Sequence, residues 1–115
     1  MTTGMNINIS KVEQVTVIEL TGEVNSITAP DVQNQVLPLA ETEEKILLDM
    51  TNVSYMSSAG LRVLLALYRQ TSGKDGHIVL VGVNEEIQNI MSITGFLQFF
   101  TICETVDAGL EAINQ

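Results

Sequence analysis

The residues best placed to do chemistry in this chain are two adjacent hydroxyls, Ser57 and Ser58, followed by the small residues Ala59 and Gly60. They stand in the run DMTNVSYMSSAGLRVLL, Asp49 to Leu65, which passes from an acidic strand end into an apolar run of helical spacing. A hydroxyl at the mouth of a helix has two uses. As a cap it accepts a hydrogen bond from an otherwise unpartnered backbone N–H of the first turn, worth about 1 kcal/mol. As a phosphorylation site it carries about −1.5 to −2 charges at the positive end of the helix dipole, where the added charge need not melt the helix. Gly60 fits simple capping poorly, because glycine within a helix costs up to about 1 kcal/mol relative to alanine. It points to a close backbone approach. Arg62, one turn after Ser58, has the spacing to meet a phosphate there, to meet a partner's carboxylate, or simply to stand in solvent.

Other chemistry is scarce. His77 is the only histidine and Cys103 the only cysteine. A Ser/His/Asp set would have to use that one histidine, and no zinc-type ligand cluster can be assembled. Cys103 follows Ile102 in an apolar stretch and reads as a packed thiol. Being single, it forms no intramolecular disulfide, which fits a reducing compartment. Glu41, Glu43 and Glu44 read as a solvated face, since a metal cage needs more oxygens in a defined loop. Gly73-Lys74-Asp75-Gly76 lacks the glycine spacing and the Ser or Thr of a phosphate loop, and reads as a turn. A chain so poor in catalytic groups is expected to be acted upon rather than to be an enzyme, with no cofactor and no metal.

Composition bounds the rest. A length of 115 residues suits one compact domain. With 45% apolar residues but only 4% aromatic, its core must be built from Val, Ile, Leu, Met and Ala. Fourteen acids against five bases give a formal charge of −9. That balance argues against nucleic acid and anionic membrane surfaces, which are held by clustered Lys and Arg. It keeps the domain soluble, suits a basic protein partner, and favours a monomer through like-charge repulsion. No apolar stretch approaches the length that spans a bilayer. The opening MTTGMNINIS has neither the basic start nor the apolar run of a signal peptide, so a cytoplasmic location is expected.

The elements that must position the serines can be placed by periodicity. Asn6–Ser10 and Gln14–Thr21 alternate as two strands of an antiparallel hairpin turning at Lys11–Glu13. In TGEVNSITAPDVQNQVLPLAE, Ser26 or Thr28 can cap a helix, Pro30 suits its first turn, and Val32, Val36 and Leu37 follow at helical spacing. Pro38 limits how far that helix runs regularly. Lys45–Met50 (KILLDM) reads as a central strand buried on both faces. Leu61, Leu64, Leu65 and Tyr68 form the stripe of a helix ending near Gly73. HIVLVGV is a further buried strand, and Asn84 caps a helix carrying Ile87, Ile90 and Met91. TGFLQFF is a loop whose phenylalanines Phe96, Phe99 and Phe100 close the core. Phe100–Cys103 is extended, and Val106, Leu110 and Ile113 mark a last helix. The order predicts an α/β domain: a mixed, mostly parallel sheet with an N-terminal antiparallel hairpin and about four helices.

The whole chain, in order and spacing, resembles the STAS domain, and within it the single-domain bacterial anti-sigma factor antagonists. The resemblance is carried by the hairpin, TGEVNSITAP, KILLDMTNVSYMSSAGLRVLL, HIVLVGVN and Thr94-Gly95-Phe96. It implies one STAS domain over residues 1–115. It implies partner switching: the unphosphorylated protein binds a serine kinase that is also an anti-sigma factor, phosphorylation of the serine before Ala59-Gly60 ends that binding, and a phosphatase resets it. The acceptor is then Ser58, with Ser57 a competing acceptor. The implied docking surface is Asn25, Ser26, Met56, Ser57, Ser58, Ala59, Gly60, Leu61 and Arg62. Two positions depart from the family pattern, with Ser57 and Asn25 standing where the family often has Asp. Both changes remove negative charge near the docking surface and bear on which kinase recognises the chain. The alternatives are a STAS subunit holding a membrane-associated transporter complex without phosphate, and an enzyme using Ser58 as a nucleophile, which needs a base and an oxyanion hole.

Overall fold

The alternation of the first strands becomes a hairpin. A computed structural model describes residues 5–114; residue 115 and the four opening residues, where no signal segment is expected, lie outside the described residues. Strand β1 (Asn6–Val12) pairs antiparallel with β2 (Val15–Val24), bringing Ile7 opposite Leu20 and Ile9 opposite Ile18. Glu13 makes the turn with a positive φ of 58°. The chain then alternates helix and strand: α1 (Ala29–Thr42), β3 (Lys45–Met56), α2 (Ser58–Ser72), β4 (His77–Val81), α3 (Glu85–Ile93), a 3-10 turn at Leu97–Phe99, β5 (Thr101–Cys103) and α4 (Val106–Ile113). The strands lie in the order β1-β2-β3-β4-β5, with every pair after the hairpin parallel.

Alternate residues of the central strands feed two cores. Ile18, Leu20, Ile46, Leu48 and Met50 pack with Val36, Leu64, Leu67, Ile87 and Met91 from α1, α2 and α3. On the opposite face Val15, Val17, Leu47, Val79 and Val81 pack with Ile113 of α4. This is why KILLDM shows no alternation: both of its faces are covered.

Several expectations are corrected. Strand β3 does not stop at Met50 but runs to Met56, because register shifts between Glu19 and Thr21 and between Gly22 and Glu23 keep β2 in step until Val24 lies beside Met56. Helix α1 runs through Pro38 to Thr42. The carbonyl that Pro38 leaves without a donor belongs to Asn34, and both residues are on the exposed side where water can serve it. TGFLQFF folds a 3-10 turn; Phe100 is buried, but Phe99 is 42% exposed and leans on the Tyr68 ring, with centroids 5.3 Å apart. Cys103 is half-buried. Glu43 is not merely solvated. It takes the Lys11 ammonium at 2.6 Å and the Thr16 hydroxyl at 2.8 Å, and these donors hold its carboxyl below the ordinary value.

Candidate functional site

The carboxyl ends of β2 and β3 lie side by side, Val24 beside Met56, while β4 ends earlier, Val81 beside Asp49; each strand then leads into a helix. In open α/β sheets this edge is the usual meeting place for ligands and partners. The middle turn is the shortest: β3 ends at Met56 and α2 starts at Ser58, leaving Ser57 alone as the connection.

Ser57 is extended, with φ −86° and ψ −179°, which is N-cap geometry. Its Oγ accepts the Ala59 N–H at 3.2 Å, and its own N–H donates to the Val24 carbonyl at 2.8 Å. Strand β2, strand β3 and helix α2 are thereby tied at one residue. Ser58 is then the first helical residue. It is exposed, and its hydroxyl has no hydrogen-bond partner among the described residues. The two uses the sequence left open for both serines are thus divided: Ser57 is the cap and Ser58 is free.

Gly60 explains itself in the same corner. A Cβ built there would lie 2.5 Å from Met56 Cγ and 2.8 Å from Val24 Cγ1. The close approach is helix α2 seating on the ends of β2 and β3. Met56 (2% exposed), Leu61 (4%) and Gly60 are buried, so they belong to the packing beneath the site and do not face a partner. This corrects their placement on a docking surface: the resemblance implied them, and burial against Val24 and the core claims them. Ala59 is half-buried against the same core. Arg62 is exposed and has no ion pair among the described residues.

The neighbouring turn, from β2 into α1, is held by Asn25. Its Oδ1 accepts the N–H of Ile27 at 2.9 Å and of Thr28 at 3.0 Å. Thr28 holds the N-cap position, but its hydroxyl faces back into the turn, donating to the Glu23 carbonyl at 2.7 Å and accepting the Asn25 N–H at 2.9 Å. Ser26 is exposed at the tip. Beside it Ile27 is 75% exposed, an apolar side chain presented to solvent next to the serine turn. Sequence reasoning missed it; the available signal was a lone isoleucine in a polar turn. On the far side, Asn84 caps α3 through the Ile87 N–H at 2.8 Å and reaches back to the Val53 carbonyl at 3.3 Å. Strand β3 is therefore braced to the end of β2 on one side and to the turn after β4 on the other.

This arrangement presents a hydroxyl, and the chain's one histidine stands away from it. His77 opens β4 beside Lys45, the first residue of β3, whereas Ser58 follows the last. The two stand at opposite ends of the sheet, so His77 cannot serve Ser58 as a base. Among the described residues no group of three His, Cys, Asp or Glu side chains is placed to hold a metal ion, and no helix is long and apolar enough to cross a membrane.

Comparison with known proteins follows the same lines. Residues 6–109 match the STAS domain. The anti-sigma-B factor antagonist of Listeria monocytogenes is 33% identical over 103 residues, covering 85% of this chain and 90% of its own. That of Bacillus subtilis is 24% identical over 107 residues, covering 93% and 98%. Among solved structures, an anti-sigma factor antagonist from Mycobacterium paratuberculosis superposes with a TM-score of 0.87 at 23% identity, covering 96% of this chain and 95% of that one. The Bacillus cell fate determinant SpoIIAA in its phosphorylated form superposes at 0.75 with 15% identity, covering 94% and 99%.

Proposed function

This chain belongs to the STAS domain family, and on that premise we propose that it is an anti-sigma factor antagonist working by partner switching, with Ser58 as its phosphorylated residue. Residues 1–115 act as one cytoplasmic STAS domain, monomeric on its own. Its partner is an anti-sigma factor that is also a serine kinase. The observation that carries this reading is the division of the serines: Ser57 is spent on the cap, and the exposed Ser58 hydroxyl is presented on a braced strand–helix junction.

His77 lies at the other end of the sheet from Ser58, which fits a residue that is modified by another protein. Its Oγ attacks the γ-phosphorus of ATP held with Mg²⁺ on the kinase, the bond to the ADP oxygen breaks, and the hydroxyl proton passes to a base of the kinase. A phosphatase later hydrolyses the ester, returning the serine and inorganic phosphate. The partner docks on the rim made by half-buried Asn25 and by exposed Ser26, Ile27, Ser58 and Arg62. Leaving a charge mispaired inside such an interface costs about 2–5 kcal/mol, enough to turn binding into release.

Peptide mass spectrometry on protein recovered from its native cells, beside a Ser58→Ala variant, tests the reading. One phosphate on Ser58, lost in the variant, is expected. Phosphate confined to Ser57 would overturn the assignment of the acceptor. No phosphate under several growth conditions, with transporter subunits co-purifying, would overturn partner switching in favour of a constitutive STAS subunit.

A further inference from the structure

The chain's five cations are unevenly placed. Lys11 is paired with Glu43, Lys45 donates to Asn114 Oδ1 at 2.8 Å, and Lys74 donates to the Glu43 carbonyl at 2.6 Å. All three stand at the end of the sheet where β3 and β4 begin. Arg69 lies in the last turn of α2. Among the described residues, Arg62 is the cation nearest in the chain to Ser58.

The geometry of α2 gives that position a consequence. Ser58 and Arg62 are four residues apart, about 6 Å along the axis, and both are exposed on one face. Helical side chains lean toward the helix N-terminus, so a guanidinium at position 62 can reach back over the turn that carries Ser58. An anion placed N-terminal to a cation at this spacing is the favoured order of the pair. A guanidinium can also grip two phosphate oxygens at once. The charged side chains at the nearby ends of the neighbouring elements are Glu23 near the end of β2, Asp31 in the first turn of α1, and Glu85 and Glu86 in the first turn of α3. All are carboxylates and offer the phosphate no competing partner.

We propose that phosphorylated Ser58 closes onto Arg62 of its own helix, so that modification withdraws this cation from the rim in the same step that adds the anion. The proposal rests on Ser58 being the phosphorylated residue. Before modification Arg62 is available to a carboxylate of the partner. Afterwards it is occupied, and the rim loses its attraction as well as gaining a repulsion.

The test needs neither kinase nor partner. Phosphoserine is installed at position 58 by genetic encoding in the otherwise unchanged chain, in Arg62→Ala and in Arg62→Lys. The second ionisation of the phosphate is followed by phosphorus NMR. Arg62→Ala is expected to raise that pKa by an amount on the order of 0.3 pH units, with Arg62→Lys restoring part of the difference. The Arg62 Nε–H resonance is expected to shift when position 58 carries phosphate. Superimposable titrations for the parent and Arg62→Ala, with an unmoved Nε–H resonance, would overturn the proposal. A chain that never carries phosphate in its cells would instead sink the partner-switching reading and leave the titration result standing.

Discussion

Ser57 and Ser58 differ by one step of backbone. Ser57 is extended, so its hydroxyl turns back to the Ala59 N–H, while Ser58 has entered the helix and shows its hydroxyl to solvent. Ser57→Ala should therefore lose about 1 kcal/mol in urea unfolding, as other caps do, yet still accept phosphate at position 58. Ser58→Ala should unfold within about 0.5 kcal/mol of the parent and accept none. Gly60→Ala should cost about 1–3 kcal/mol in the same unfolding measurement, because the new methyl must displace Met56 and Val24. The sequence showed that a hydroxyl pair and a glycine sat at a helix mouth, and the glycine announced a close approach. It did not show which hydroxyl was free. That is decided by one ψ angle, and both residues are serine. Nor did it show that Met56 and Leu61 point inward, because an apolar residue beside a site looks the same whether it faces a partner or the core.

At the scale of elements, the site is three strand ends and the turns that leave them. Asn25 holds the first turn by accepting two backbone N–H groups with one oxygen. Asn25→Ala should cost about 1 kcal/mol of stability, whereas Asn25→Asp, which keeps an acceptor, should unfold like the parent. This places the departure from the family's Asp on charge presented to a partner rather than on the turn's integrity. Ile27 is so exposed that Ile27→Ala should leave unfolding unchanged. On the proposed reading, the same change should weaken binding to the anti-sigma factor about fivefold or more in calorimetry. Periodicity placed the hairpin, the helices and the buried strands. It shortened β3, because Thr51, Asn52, Ser54 and Tyr55 are exposed and break the apolar run that marks a covered strand. It also overrated Pro38, whose cost falls on a carbonyl that faces water.

For the molecule as a whole, charge is sorted along the sheet. Lysines and their partners gather where β3 and β4 begin, and the opposite edge keeps Arg62. The Lys11–Glu43 pair joins the hairpin to the C-terminal side of α1. Because Glu43 titrates below the ordinary 4.5 in the folded chain, its contribution is complete above that value and is lost as pH falls through the lower one. Removing the paired ammonium with Lys11→Met should lower thermal stability at neutral pH, and the difference should shrink as acid protonates the Glu43 carboxyl. Composition disclosed the acidity but not this sorting, which depends on which strand ends meet. The topology has a last consequence, in time rather than in space. The hairpin closes within a few residues, Val12 beside Val15, but β2 finds β3 and β3 finds β4 only across about thirty residues, Thr16 beside Ile46 and Lys45 beside His77. Contacts of such separation form slowly compared with a hairpin. The bond from Ser57 to Val24 is one of them. A chain still leaving the ribosome has its hairpin before it has the junction that presents Ser58, so on the proposed reading phosphate at that residue would mark a chain in which β2 and β3 had already met.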